Sequence, residues 1–322
     1  GPLVLGLRGR TSPLAWTRRL RVVAVTVLFF TVIISLLFRW FGLGPVGCAT
    51  VALMAPVLID GVLAMLKPVE GRLARRYVVQ ATHALNRIDP IRIAVTGSYG
   101  KTTIKGYIKH LISGTFSVVA SPASFNNSPG LSRSVNEHLA QGTEVFIAEM
   151  GTYGRGEIAD LVSWIRPSIS VLASIGPVHL ERFGDLDTIV EAKSEIFSTS
   201  RTAIVNIDAY GLADEADRLQ VSGIEVLRCS SNDRTADIVV LKDNQGLEVI
   251  VSGRQILAGL VVDAAPTNVA CAVAVAATLG IPDAMIAQRL ANLPTIEHRR
   301  QVLVSQSGVT VIDDTYNSNP DG

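Results

Sequence analysis

The segment "IRIAVTGSYGKTTIKGYIKHLI", residues 91–112, restricts the fold of this 322-residue chain more than any other. Its apolar start predicts a buried β-strand, and apolar residues that recur at helical spacing from Ile104 to Ile112 predict a helix directly after the turn. Gly97 and Gly100 allow the backbone to turn tightly, so that amides at the start of the helix can point at an anion. The order strand, glycine turn, helix therefore predicts an α/β element with an anion site at the turn.

The turn is not the usual phosphate loop Gly-x-x-x-x-Gly-Lys-Thr, because Val95 stands where the first glycine is needed. The remaining pattern, Gly-x-x-Gly-Lys-Thr-Thr, still predicts a nucleotide site, in which Lys101 faces the terminal phosphates and the Thr102 hydroxyl suits Mg²⁺. The alternative is a glycine turn followed by a solvated lysine. The full set of predicted phosphate-loop contacts is Gly97, Ser98, Gly100, Lys101, Thr102 and Thr103.

Strand-like and helix-like stretches alternate along the chain after residue 90. The strand-like runs are "IRIAVTG", "VFIAEMG", "SVLASIG" and "AIVNID", and each ends in glycine or a polar residue. This alternation predicts an α/β fold with a mostly parallel sheet that is covered by helices on both faces.

Two further side chains are expected at the carboxyl edge of this sheet, where open α/β sheets bind ligands. Glu149 ends the run "VFIAEMG", and a carboxylate beside a phosphate loop can hold Mg²⁺ on a nucleotide. The alternative for Glu149 is a solvated loop residue. Glu157 is the weaker candidate, because it opens a helix and favours the helix dipole there. His179 follows the next strand in a Gly-Pro turn and is either a metal-site residue or a structural histidine.

The N-terminal region contains two long apolar runs, which account for much of the 48% apolar content and the mean hydropathy of +0.36. Residues 22–38 carry no charge, and residues 41–66 carry only Asp60. Five basic residues precede the first run, one lies between the runs and four follow the second. This pattern predicts a two-helix transmembrane hairpin with both ends in the cytoplasm. We expect a multi-pass protein of the inner membrane, with the lipid bilayer as a partner and the catalytic domain on the cytoplasmic side.

Three other interpretations of the N-terminal region stay open: a cleaved signal peptide, a twin-arginine export signal and a lipoprotein site. All three would place the rest of the chain outside the cell, where ATP is absent. Asp60 is either a polar group near a helix end or a functional carboxylate within the membrane. The formal net charge of +1 excludes a global field that attracts nucleic acid, and three distant cysteines show no metal-ligand spacing.

The motif "TGSYGKTT" resembles the phosphate loop of the Mur ligase family, the ATP-dependent amide-bond ligases of cell-wall synthesis. Five more motifs follow in the order of that family: "SFNNSPG", "AEMGTYGRGEI", "GPVHLERFG", "EAKSEIF" and "IDDTYNSNP". The motifs "DDTYNSNP" and "NN-x-x-G" are most similar to the members that join D-alanyl-D-alanine to a UDP-muramoyl tripeptide. The resemblance implies these two small-molecule substrates, ATP and two Mg²⁺ ions.

The resemblance also implies a role for Lys193 in "EAKSEIF". On sequence alone, Lys193 is a surface lysine of a helix that pairs with nearby glutamates. The matching lysine of the family is carbamylated, and together with His179 it helps to hold the second Mg²⁺.

Four motifs carry further residues over from the family. Asn268 occupies the adenine-contacting position, although Thr267 stands where relatives often have histidine. Arg299 in "EHRR" matches the arginine that reaches the ATP phosphates, and Asp314 matches an acidic residue that contacts the nucleotide from the C-terminal domain. Asn126 and Asn127 match substrate-contacting positions, with a turn that only shapes the cleft as the alternative.

By this resemblance the substrate carboxylate attacks the γ-phosphate of ATP, and an amine then attacks the resulting acyl phosphate. The catalytic set is Lys101, His179, Lys193 and Arg299. Two other functions stay open: a related ligase with another acceptor, such as a polyglutamate-forming enzyme, and a membrane-tethered nucleotide sensor or scaffold without turnover.

We expect five segments in a chain that is clipped at both ends. They are a basic cytoplasmic segment (1–21), the hairpin (22–66), a connector (67–90), the central ATP-binding domain (91–295) and the start of a truncated C-terminal α/β domain (296–322).

Overall fold

The computed structural model describes residues 16–122, 125–178, 180–294, 301–304 and 310–313. The chain forms two compact units, Gly1–Arg76 and Tyr77–Gly322. Three residues with predicted roles, His179, Arg299 and Asp314, lie outside the described residues.

The first unit is built from helix α1 (Arg18–Trp40) and the first part of helix α2 (Gly44–Ile88). Thr17 caps α1 by accepting a hydrogen bond from the amide of Leu20, and Arg19 pairs with Glu70 at 2.7 Å. Both helices are long and apolar enough to cross a membrane, by length and composition only. The two predicted apolar helices are present, with bounds that differ from 22–38 and 41–66.

Helix α2 is longer than the sequence analysis predicts. It runs for 45 residues without a break, through Pro56 and Pro68 and through most of the segment predicted as a separate connector. The boundary between the two units falls inside this helix, between Arg76 and Tyr77. A change of composition near residue 67 therefore does not end the helix, because arginine, glutamate and alanine are also good helix formers.

The second unit alternates strands and helices. Its strands are β1 (Ile91–Thr96), β2 (Val118–Ala120), β3 (Val145–Glu149), β4 (Ile169–Leu172), β5 (Thr202–Asn206), β6 (Glu225–Ser230), β7 (Ile238–Asp243), β8 (Gly246–Val251), β9 (Arg254–Leu260), β10 (Gln301–Val304) and β11 (Thr310–Asp313). Its further helices are α3 (Lys101–Ile112), α4 (Ser128–His138), α5 (Glu157–Ile165), α6 (Leu180–Phe183), α7 (Leu186–Ser194), α8 (Leu212–Val221), α9 (Pro266–Thr278) and α10 (Asp283–Leu290). A 3₁₀ turn, Glu195–Phe197, follows α7.

Nine strands form one sheet in the order β2-β3-β1-β4-β5-β6-β7-β8-β9. The pairings from β2 to β7 are parallel, whereas β8 and β9 are antiparallel additions at one edge. Strand β1 lies between β3 and β4, so the loops that follow these three strands meet at one edge. Val95 of β1 is in register with Glu149 of β3 and with Val171 of β4.

Apolar side chains alternate between the two faces of the sheet, and helices cover both faces. Ile93 and Val95 pack with helices α3, α9 and α10, whereas Ala94 packs with α4, α5, α8 and the last turns of α2. The mostly parallel α/β fold with two covered faces is therefore confirmed. The remaining strands, β10 and β11, form a separate antiparallel pair.

Candidate nucleotide and metal site

The phosphate loop lies between β1 and α3 and depends on Gly100 for two reasons. Gly100 has φ 78°, a left-handed conformation that glycine adopts without strain. A Cβ at this position would also lie 2.5 Å from Oδ1 of Asn268 on helix α9. Because the residue that caps α3 is glycine, it offers no side-chain cap to the amides of the first turn. The amides of this turn suit an anion such as phosphate.

Gly100→Ala is expected to weaken nucleotide binding at least about tenfold, because left-handed backbone at a residue with a Cβ costs on the order of 1–3 kcal/mol and Asn268 must also move. Isothermal titration with ADP measures the loss. Gly142→Ala is the matched control, since Gly142 also has positive φ (86°) but a Cβ there meets nothing within 4 Å. Equal affinities of the two variants for ADP would contradict this assignment of the loop.

The phosphate loop is fastened to the loop that follows β4. The hydroxyl of Ser98 accepts from the amide of Gly176 at 2.9 Å and donates to its carbonyl at 3.2 Å. The amide of Tyr99 donates to Oγ of Ser174 at 2.8 Å, and that hydroxyl donates to the carbonyl of Tyr99 at 3.0 Å. These four bonds hold the two loops in one position, and the second loop leads toward residue 179.

Lys101 begins helix α3 and bends back over the phosphate loop. Its ammonium group donates to the carbonyl of Gly97 at 2.8 Å and to that of Ser98 at 3.4 Å. The side chain is half-buried. The positive charge of Lys101 therefore lies at the phosphate loop. The start of α3, which follows this loop, has no side-chain cap.

Glu149 is buried at the end of β3, with 2% of its surface exposed, so it is not a solvated loop residue. Its Oε2 accepts hydrogen bonds from Oγ1 of Thr102 and Nζ of Lys105, both at 2.9 Å. Its Oε1 accepts a longer bond, 3.4 Å, from Nδ2 of Asn126. A hydroxyl and a carboxylate side by side are oxygen ligands that Mg²⁺ prefers, so the residues fit this ion.

Lys105 is part of this site although the sequence analysis did not single it out. It lies three residues after Thr102, which places both residues on the same face of α3. The sequence shows this spacing, but only the structure shows that Glu149 lies opposite Thr102 and Lys105.

Lys193 is buried near the end of helix α7, with 5% of its surface exposed, so the expectation of a surface lysine is wrong. Its neighbours on the helix, Ile189 and Ala192, pack into a small apolar cluster, and this face of α7 therefore points inward. Burial, and secondly the charge of Lys101, lower the pKa of Lys193 to about 7. Within the described part of the chain, no hydrogen bond or ion pair involves this amine.

The glutamates near Lys193 have other partners. Glu191 pairs with Arg155 at 2.6 Å. The carboxylate of Glu195 accepts from the amides of Gly156 at 2.7 Å and Ala159 at 2.9 Å, at the start of helix α5. Glu195 thus ties the segment after Glu149 to the helix that carries Lys193, which sequence reasoning did not find.

Three further polar residues from the sequence analysis have definite contacts. Asn127 caps helix α4 by accepting from the amide of Gly130 at 3.0 Å. Glu157 accepts from the amide of Tyr153 at 2.7 Å and so closes the turn before α5. Asn268 lies against Gly100.

Among the described residues, no group of three or more histidine, cysteine, aspartate and glutamate side chains could hold a metal ion.

Comparisons with known proteins agree with this geometry. The Mur ligase middle domain matches residues 95–276. The chain is 33% identical over 237 residues to the UDP-N-acetylmuramoyl-tripeptide–D-alanyl-D-alanine ligase of Mycobacterium tuberculosis (strain ATCC 25618 / H37Rv), which covers 71% of this chain and 46% of that protein. It is 27% identical over 276 residues to the ligase of the same name from Bacillus subtilis (strain 168), which covers 83% of this chain and 56% of that protein.

A solved structure has the same fold. The crystal structure of the MurF ligase from Thermotoga maritima in complex with ADP matches with a TM-score of 0.68 and 28% identity, over 77% of this chain and 58% of that one. The chain spans about half the length of the curated relatives that it matches.

The relatives overturn the predicted location. The prediction of a multi-pass protein of the inner membrane is wrong, because the chain matches UDP-N-acetylmuramoyl-tripeptide–D-alanyl-D-alanine ligases and its two apolar helices are weak evidence for membrane spans. The physical reason is that length and apolar composition show only that a helix could cross a bilayer; a core helix or a signal sequence passes the same test. We therefore do not propose the lipid bilayer as a partner.

Proposed function

This chain belongs to the Mur ligase family, and on that premise we propose that it is the nucleotide-binding part of an ATP-dependent ligase. The ligase adds D-alanyl-D-alanine to a UDP-muramoyl tripeptide during synthesis of the peptidoglycan precursor. The main support for ATP use is the hydrogen bond between Oγ1 of Thr102 and Oε2 of Glu149, which is 2.9 Å long. It lies at the start of α3, which has no side-chain cap. The proposed substrates are supported by the names of the relatives and by the motif "DDTYNSNP".

The reaction joins two substrates through an acyl phosphate. A carboxylate oxygen of the tripeptide attacks the γ-phosphorus of ATP, the bond to the bridging oxygen breaks, and ADP leaves. The amine of D-alanyl-D-alanine then attacks the acyl carbon, loses a proton, and phosphate leaves as the amide bond forms. The first step brings two anions together, so catalysis depends on alignment and on neutralised charge.

Residues of this chain supply most of that neutralisation. The amides of the first turn of α3 bind the phosphates, and the ammonium of Lys101 leaves the carbonyl of Gly97 to reach the terminal phosphate. Gly97, Ser98, Gly100 and Thr103 shape the cradle, and Asn268 on α9 lies where it can contact the adenine side of the nucleotide. We also assign Arg299 to the phosphates and Asp314 to the nucleotide, from their motifs alone.

Two Mg²⁺ ions complete the proposal. When bound, they neutralise charge on the phosphates. Thr102 and Glu149 would hold the first ion, and His179 and Lys193 would help to hold the second. A lysine ammonium would repel a cation, so Lys193 must first react. Its neutral amine attacks CO₂, forms an N–C bond and releases a proton, and the product is a carbamate anion.

Burial supports this modification of Lys193. A lysine that is 5% exposed and that lies near Lys101, without an acidic partner among the described residues, is unfavourable as a cation. A carbamate replaces this repulsion with attraction to Lys101 and to Mg²⁺.

The tripeptide substrate is assigned to the region of Asn126 and Asn127, which precedes α4 and lies beside Glu149. We place the central ATP-binding domain at residues 91–295 and the start of the next domain at residues 296–322.

Phosphate release by the protein that carries this chain tests the proposal. ATP is supplied with a panel of UDP-muramoyl peptides, with and without D-alanyl-D-alanine. We expect release only when a UDP-muramoyl tripeptide and D-alanyl-D-alanine are both present. Release with a folate and glutamate instead would indicate a polyglutamate-forming ligase, and nucleotide binding without any turnover would indicate a sensor or scaffold.

A further inference from the structure

We propose that Lys105 is a positioning residue that serves as the resident counter-cation of Glu149 and thereby sets how much Mg²⁺ the site requires. The inference rests on the proposed function, because it concerns the ion that Thr102 and Glu149 would hold. It adds a residue that no motif used above assigns to the site.

The charge of Glu149 is buried, which is costly without a partner. Glu149 is 2% exposed, and a carboxylate removed from water needs a compensating cation. Nζ of Lys105 lies 2.9 Å from Oε2 of Glu149, and Lys105 itself is only 5% exposed. Each charge thus offsets the burial of the other, and the carboxylate is held in one place before any metal arrives.

Lys105 also contacts the Glu149 oxygen that a metal would use. Oε2 of Glu149 accepts from both Lys105 and Thr102, whereas the bond described for Oε1 is the longer one, 3.4 Å, from Asn126. An ion that binds between the Thr102 hydroxyl and Glu149 therefore approaches the same oxygen as the ammonium group. Like charges that share one carboxylate oxygen repel each other, so Lys105 and Mg²⁺ compete for Glu149.

Lys105 has a buried position on α3. The exposed Lys109 lies one turn further along the same helix, so the buried position of Lys105 is not a general feature of lysines on this helix. Lys105 is one of the buried residues of α3, with Ile104 and Ile108, and its ammonium group bonds Glu149.

The competition predicts opposite effects on the metal-free and metal-bound forms. Lys105→Met leaves Glu149 without its counter-cation, so the metal-free protein loses stability. It also removes the repulsion, so Mg²⁺ binds more readily. Lys105→Gln keeps a hydrogen-bond donor for Glu149 but not the charge, and it separates the two contributions.

The experiment titrates Mg²⁺ into the 322-residue chain with a fluorescent ADP analogue and records the Mg²⁺ midpoint and the melting temperature with and without Mg²⁺ and ADP. We expect Lys105→Met and Lys105→Gln to lower the midpoint about tenfold, a typical size for coupling between two binding events. The melting temperature of Lys105→Met should fall without metal and recover when Mg²⁺ and ADP are added. Lys105→Arg keeps the charge and should retain the parent midpoint, as should the exposed control Lys109→Met.

Two results would overturn the inference while leaving the proposed function intact. In the first, the parent protein binds the nucleotide with Mg²⁺, and the Lys105 variants have the same Mg²⁺ midpoint as the parent or a higher one. The other is a loss of melting temperature in Lys105→Met that Mg²⁺ and ADP do not restore, which marks a merely structural ion pair. If Lys105→Met does not fold, the midpoint of Lys105→Gln decides. A parent protein that binds no nucleotide at any Mg²⁺ concentration would instead refute the proposed function.

Discussion

Lys101→Ala is expected to reduce ATP turnover by at least about 10²–10³-fold, because removal of one preorganised group that stabilises transition-state charge commonly costs that much. The ammonium group lies at the phosphate loop, where it bonds the carbonyls of Gly97 and Ser98. These bonds are half-exposed and their loss costs about 0.5–1.5 kcal/mol each, so the fold should survive. Phosphate release measures turnover, and circular dichroism with thermal melting checks the fold.

The matched control for this prediction is Lys109→Ala. Lys109 lies on the same helix and is exposed, so its removal changes the charge equally without touching the loop. We expect the control to turn over ATP at the parent rate. A Lys101→Ala protein with near-parent turnover would show that the loop is not a phosphate site.

Lys193→Met should lose most ligase activity while the protein stays folded. Methionine fills nearly the same volume, so no large cavity forms around a side chain that is 5% exposed. The substitution also removes a buried amine whose pKa burial and Lys101 lower to about 7, and which gains no ion pair within the described residues. We therefore expect a melting temperature within a few degrees of that of the parent. Alanine would add a cavity to the comparison and is the poorer choice.

Two readouts separate a carbamate from a merely structural lysine. Incubation with ¹³C-labelled bicarbonate should give a carbamate carbon signal in the parent and none in Lys193→Met. A small carboxylate such as formate should restore part of the activity of Lys193→Met by filling the anionic position. The control is Lys242→Met on the exposed end of β7. Full activity of Lys193→Met would remove Lys193 from the metal site, and a loss of activity that comes with unfolding would show a structural role.

Much of the fold was predictable because its signals are local. The strand, turn and helix around Gly97 and Gly100 depend on residues that are neighbours along the chain, and the structure forms β1 and α3 there. The predicted membrane location was wrong. The length and apolar composition of a helix show only that it could lie in a bilayer, and they do not show where the protein is located.

Site chemistry was predictable wherever a side chain follows directly from a motif. In the structure Glu149 lies beside the loop between β1 and α3, because strands that pair in parallel bring their carboxyl ends to one edge. Thr102 follows from the loop pattern in the same way. Their roles as metal ligands remain predictions, as do those of His179, Arg299 and Asp314, which lie outside the described residues.

The sequence by itself determined the alternation of strands and helices, the glycine turn between β1 and α3, and the family. Only the tertiary structure decided which charged groups are buried and which residues they pair with. Lys105 and Glu149 are 44 positions apart, and Lys193 looked like any solvated helix lysine until its face of α7 was seen to point inward. The reason is physical: secondary structure is set largely by residues a few positions apart, whereas burial and charge pairing depend on elements that only the order β2-β3-β1-β4-β5 brings together.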